Sequence, residues 1–441
     1  MAAVNNDKTT AAGLFKRVYK DLREIIPEGH VGLELFPHTD KVKMGEKIMF
    51  PVVLSNENGL SVGDGSQITF ADAQAGTIKQ AELQSYEYFL SSGILTKALA
   101  DSAAGGEAAV KAASKHVVNS NLKSLMRFLE NDVFYGRDQY GIGRVSYDTM
   151  TFRGATLTAG AGTVGGVTFA TGGVNTSAKK ILIAPADQAP GLFMGSEGLE
   201  VEEWQSSNDT LVSGKTGKIV SYDVDNGILE VDFTPTAASA AGSHYLVIKA
   251  KGKSTSFLGA KGILSTSGSL FGIVNTTYKM WKGNSVAITG KLTWKKILPS
   301  LSLACAKGLE SDATIVVSFE GWANLLADIE ALRSVDSSFS PDKLKQGARN
   351  LEFSFLNGNI AVKPCRFVRR GDAFILAKGQ LHRYGSSDIA LKVPGIDDGD
   401  LLVKPITTNV FVFRSYADQA VFIDHPAQNV YISGIDPESA T

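Results

Sequence analysis

Two cysteines, six histidines and a few short polar motifs are the material from which this 441-residue chain could build chemistry. SGKTG, Ser213 to Gly217, has the Lys-Thr pair of a phosphate-binding loop. Such a loop needs an earlier glycine and a following helix whose N–H groups face the phosphate. Here Asp209 stands at the earlier glycine position and KIVSYDV follows, which favours a strand, so the stretch reads as a surface turn. DVDNG, Asp223 to Gly227, resembles the start of a calcium loop, but its glycine comes one position early and the closing acid is missing. A hairpin turn is the reading there. His30, His38, His116, His244, His382 and His425 include no HExxH pair and read as surface or packed residues. Ser120 and Lys123 have SxxK spacing without the motifs that accompany it in acylating enzymes. Arg370-Gly371-Asp372 spells an adhesion tripeptide but precedes an apolar strand and reads as a turn. Cys305 and Cys365 lack CxxC spacing and read as free thiols of a chain made in a reducing compartment. No catalytic, cofactor-binding or metal-binding residue is assigned, and the chain is expected not to be an enzyme.

The elements that would position such residues point elsewhere. The length exceeds that of one ordinary core, so linked substructures are expected. Apolar content of 44% and charged content of 20% suit a folded chain, and a net charge of −1 gives no global attraction to nucleic acid. No segment approaches the roughly 20 apolar residues of a membrane span. Gly13 to Glu24 has helical spacing, and VGLELFPHTDKVKMGEKIMFPVVL reads as extended chain and edge strand. From Phe50 to Leu83 follow two strands joined by a long glycine-rich turn whose acids are Glu57, Asp64 and Asp72. Glu107 to Phe134 reads as a long helix: Val110, Val117, Leu122, Leu125, Leu129 and Val133 recur at three- and four-residue steps. Lys111, Lys115, Lys123, Arg127 and Glu130 fill its other faces, and Gly136 is a stop. A β-rich stretch follows, with an Asn226-Gly227 hairpin. LTWKKILPSLSLACAKGL then reads as a helix kinked at Pro299, and ATIVVSF as a strand leading into the helix GWANLLADIEALR.

The order of arm, PVVLSNENGLSVGDG loop and EAAVKAASKHVVNSNLKSLMRFLENDVFYG helix resembles the major capsid protein of tailed bacteriophages, a fold shared with encapsulins and the herpesvirus capsid floor. The resemblance implies an α+β fold with an N-arm, an extended E-loop, a long spine helix in a peripheral domain, an axial domain and a β-rich insertion. It divides the chain into an N-arm (1–45), E-loop (46–95), peripheral domain with the spine helix (96–151) and insertion (152–290). The second peripheral helix and strand (291–319), the axial domain (320–405) and the return to the peripheral domain (406–441) follow. The implied function is a shell of hexamers and pentamers around double-stranded DNA, in a virion assembled in host cytoplasm. Implied partners are a portal protein, a separate scaffolding protein and decoration proteins, with non-specific DNA contact and no membrane. An encapsulin-type compartment, or a β-rich hydrolase or binding protein, stays open as the alternative.

The charge pattern adds an assembly reading. Between Ile48 and Ile78 the ionisable residues are Glu57, Asp64 and Asp72, whereas Phe233 to Leu309 carries lysines, including Lys249, Lys251, Lys253 and Lys261, and no acid. The acidic arm is expected to lie over the lysines of an adjacent subunit and set its register. Because no lysine lies between Lys47 and Lys79, covalent Lys–Asn crosslinking through the loop is not expected.

Overall fold

A computed structural model describes residues 29–40, 47–62, 72, 75–95, 107–147, 149–207, 209–236, 244–252, 254–333, 351–355, 358–391 and 410–437. The helix expected at Gly13 to Glu24 lies outside them, as do Asp64 and Lys253.

The helix Glu107–Tyr135 has 29 residues, about 43 Å at 1.5 Å per residue. Gly136 ends it as expected, its N–H bonded to the Asp132 carbonyl; a Cβ there would stand 2.4 Å from the Phe257 oxygen. From Leu129 to Gly136 every residue is buried, so the last two turns have no solvent face. Arg127 and Glu130, assigned from the sequence to the polar faces, are therefore interior groups. Arg127 donates to the Met194 carbonyl at 2.6 Å, and the Glu130 carboxylate accepts the N–H groups of Gly32 and Leu33 at 2.5 and 2.8 Å. This contact explains why Val31–Leu35, read as extended, is a short helix: a distant carboxylate caps its N-terminus.

The long helix lies on a four-stranded sheet ordered His38–Asp40, Leu381–Ala390, Val410–Ile423, Tyr86–Leu95. Asn121 pins the two together, donating to the Leu90 carbonyl and Ser92 hydroxyl and accepting from Ser415. A six-stranded sheet runs in the order Asn284–Ala287, Val430–Ser433, Ala373–Ala377, Ala313–Val317, Gly358–Pro364, Leu351–Phe355. Its central strand ATIVV is buried on both sides, and the period of two divides it. Val316 joins the core of the long helix, while Ala313, Ile315 and Val317 join a second core under the helices Trp294–Ala306 and Phe319–Arg333. The first of these helices runs through Pro299, whose ring is on the exposed side. A seven-stranded sheet, from Gly143–Arg144 at one edge to Val174–Asn175 at the other, has its own core around Ile181, Phe193, Leu229 and Leu246.

These cores redraw the divisions expected from the sequence. The seven-stranded sheet takes its strands from Gly143 to Ile248, but Phe257, Ile263, Leu270 and Trp281 belong to the core of the long helix. The range 152–290 is thus split by packing. Likewise Leu301, before the boundary at 320, and Leu325, after it, share one core. Composition hides where the β-rich stretch ends, because Phe257–Trp281 keeps the same Gly/Thr/Ser content while burying its apolar residues elsewhere.

Candidate assembly surfaces and the buried ionic junction

Among the described residues, none of the motifs that could do chemistry assembles a site. SGKTG lies inside the strand Thr210–Asp223, not in a turn, with no helix after it to face a phosphate. DVDNG is a hairpin loop: the Asp223 carboxylate accepts from the N–H groups of Asp225 and Asn226, and Asp223 pairs with Ile228. The loop holds four residues, not the two expected, and Gly227 closes it at φ +66°, where a Cβ would strike the Gln188 amide. Gly160 to Gly165 spells GxGxxG, and it runs from one turn through the strand Gly162–Val164 into the next turn, with a strand and not a helix after it. Ser120 is exposed on the long helix. His244 is buried against Glu203, His382 meets Asp424 at 3.1 Å, and His38 lies 3.4 Å from Asp40. Among the described residues no group of three or more His, Cys, Asp or Glu could hold a metal ion, and no helix is long and apolar enough to cross a membrane. Cys365 is buried and Cys305 half-buried, and burial pushes both thiols up and away from thiolate reactivity.

What the described surface offers is an arm. Ile48–Ser55 and Thr77–Leu83 pair as an antiparallel hairpin that joins none of the three larger sheets by strand pairing. Alternation sends Phe50, Val52 and Leu54 toward the long helix's core, with the Phe50 ring 4.6 Å from that of Phe422. The opposite residues face outward: Val53 is 63% exposed, Ile78 65%, and beyond the strand Leu60 is 81% and Val62 84% exposed. Exposed apolar residues are ordinary when scattered, but these four lie on one projecting element. Both lysines at its base have partners within the chain, Lys47 on Glu82 and Lys79 over the Tyr278 ring at 5.1 Å.

The residues expected to guide assembly by charge are placed as follows. Glu57 and Asp72 are exposed. Lys249 meets Glu200 at 3.1 Å and is half exposed. Lys251 is paired with Asp132 and Lys261 meets Asp138 at 3.1 Å, both mostly covered. The described lysines of this group are therefore committed inside the subunit, to acids that lie far away in sequence.

Arg370-Gly371-Asp372 is likewise interior, so it offers nothing to a receptor. It ends the loop from Cys365 to Asp372, which carries the fully buried Arg369 into a cluster of Asp138, Asp187, Arg144, Lys261 and Tyr135. Burial pushes the Asp187 carboxyl up, yet Arg369 and Arg144 outweigh it and hold it at about 2. Asp138 is likewise held low by Arg369 and Lys261 against the same burial. No spacing motif signals this cluster, because its members come from five separate segments.

No family model matches the chain, and no curated protein matches it in sequence. Among solved structures it is similar to a chain of the cyanophage A-1(L) capsid asymmetric unit, with TM-score 0.55 and 11% identity over 95% of this chain and 96% of that one. A chain of the capsid of Myoviridae phage XM1 aligns over 96% and 98% at TM-score 0.45 and 7% identity. The first likeness shows the fold: end to end, this chain folds as a phage capsid chain does, in accord with the sequence resemblance.

Proposed function

We propose that the chain is a structural major capsid protein that assembles into the icosahedral shell around a phage double-stranded DNA genome. The observation that carries this reading is the likeness of fold to a capsid chain over 95% of the sequence. The outward apolar face of the hairpin supports it, since that face has a use when a neighbouring copy covers it. In this reading the hairpin Ile48–Leu83 is the E-loop and the helix Glu107–Tyr135 the spine. The peripheral domain is the four-stranded sheet with that helix, the axial domain the six-stranded sheet, and the seven-stranded unit the insertion. Hexamers and pentamers of the chain close the shell, with a portal protein, a separate scaffolding protein and decoration proteins as partners and packaged DNA inside. Glu57, Asp64 and Asp72 set register against the half-exposed Lys249 and against Lys253 of a neighbour.

Co-expression of the full chain with its scaffolding partner, followed by electron microscopy of the purified material, tests the proposal. Closed shells of uniform diameter are expected. A protein that stays monomeric with and without that partner sinks it, and a shell that copurifies with a tagged enzyme instead of DNA points to a compartment.

A further inference from the structure

The loop Cys365–Asp372 is where the three units meet, and its contacts reach all of them. Toward the seven-stranded unit, Arg370 N–H donates to the Gln188 carbonyl at 3.1 Å and Gly371 N–H to that of Ala186 at 2.9 Å. The Gly191 N–H donates back to the Arg366 carbonyl at 3.0 Å. Toward the end of the long helix, Arg369 N–H donates to the Tyr135 hydroxyl at 3.0 Å, and its guanidinium stacks 4.3 Å from that ring. Toward the six-stranded sheet the loop is continuous with the strands Gly358–Pro364 and Ala373–Ala377. At its centre the Arg369 guanidinium reaches Asp138, just past the long helix, at 2.8 Å, and Asp187, in the seven-stranded unit, at 3.8 Å. Its other nitrogen donates to the Gly141 carbonyl at 2.9 Å. Arg144 holds the far side of Asp187 at 2.5 Å.

We propose that Arg369 is a positioning residue. Its planar fork, with one nitrogen facing Asp138 and Asp187 and the other on the Gly141 carbonyl, fixes the angle of the seven-stranded unit to the long helix and the six-stranded sheet, so that all three travel as one rigid block. An ion pair this deep contributes little net stability over an apolar replacement, but breaking it leaves buried carboxylates unpaired. Its directional geometry is what an apolar contact lacks. Inter-domain contacts otherwise permit relative motion. Both carboxyls stay ionised well below neutrality, so the clamp holds from about pH 5 to 8 and is shielded from salt.

The test is a distance measurement by electron spin resonance on the full chain, labelled at Ser213→Cys in the seven-stranded unit and Ser302→Cys beside the six-stranded sheet, both exposed, in a Cys305→Ser background. The parent should give one narrow distribution, unchanged from about pH 5 to 8. The triple variant Arg369→Met, Asp138→Asn, Asp187→Asn removes the clamp without stranding a charge on its two acids. In a variant that circular dichroism shows to stay folded, the distribution should at least double in width. A triple variant as narrow as the parent overturns the proposal. Should that variant not fold, Arg369→Lys decides by the same reading, because an ammonium lacks the second nitrogen that binds the Gly141 carbonyl while the first faces the two carboxylates: a doubled width supports the clamp and an unchanged width removes it.

Discussion

Val53 and Ile78 face each other across the hairpin, one on each strand and about two thirds exposed. Replacing both with Ser leaves the chain's own cores untouched, since neither belongs to a buried cluster. In the proposed shell their worth therefore lies in what a neighbouring subunit covers. Burying such a side chain completely stabilises by about 1.5–3 kcal/mol, so covering the exposed two thirds contributes about 1–2 kcal/mol each. The pair amounts to about 2–4 kcal/mol per hairpin contact, or about 30- to 1000-fold in the association constant, with some coupling because the two sites touch. The critical concentration for shell assembly, followed by sedimentation, should rise at least tenfold, while the melting temperature of the unassembled subunit stays within a few degrees of the parent. A critical concentration within twofold of the parent, in a variant that remains folded, would refute the view that this face is an assembly surface.

Glu130→Gln tests the interior carboxyl of the long helix. Burial raises its pKa from 4.5 to about 7, so the folded subunit binds the proton more tightly than the unfolded chain, and the parent loses stability relative to the variant as pH rises between those values. The difference approaches about 3 kcal/mol in denaturant titrations, and a flat difference would contradict it. Neutralising the arm with Glu57→Gln, Asp64→Asn and Asp72→Asn should slow assembly at low salt and flatten its dependence on ionic strength; exposed pairs contribute about 0.2–1 kcal/mol each, so unchanged kinetics at every salt concentration would remove them as guides. Deleting 152–290 should unfold the remainder as judged by circular dichroism, because it takes Phe257, Ile263 and Trp281 from the core of the long helix. Mature particles should run as monomer on a denaturing gel, since the loop lysines Lys47 and Lys79 are held at its base; a covalent ladder would show otherwise.

Elements with a strong local period were legible in the sequence. The long helix and its glycine stop follow from three- and four-residue spacing, and the all-buried ATIVV strand from its apolar run. What local pattern could not supply is partnership. Val31–Leu35 is helical because Glu130, about a hundred residues away, accepts its first N–H groups, and no propensity within VGLEL signals that. SGKTG read as a turn, while the pairing of Thr216 and Gly217 with Glu202 and Val201 makes it strand. The ionic junction was illegible for the same reason: its charges are unremarkable one by one and acquire meaning from burial together.

The lysine block shows how contiguity in sequence misleads about surface charge. Lys249, Lys251 and Lys261 stand in an acid-free stretch, and from the sequence that looks like a basic face waiting for an acidic arm. In the fold each meets an acid from elsewhere, Glu200, Asp132 and Asp138, so these three lysines are paired before any neighbour arrives. Opening the two covered pairs to reach an exposed arm would exchange short, desolvated contacts for screened ones, a net loss. The hairpin's outward valine, isoleucine and leucine residues have no such internal claim on them. In the proposed shell, affinity between subunits would then come mainly from apolar burial, which salts excluded from protein surfaces strengthen, and charge on the arm would be left to choose among registers that hydrophobic contact alone holds about equally well.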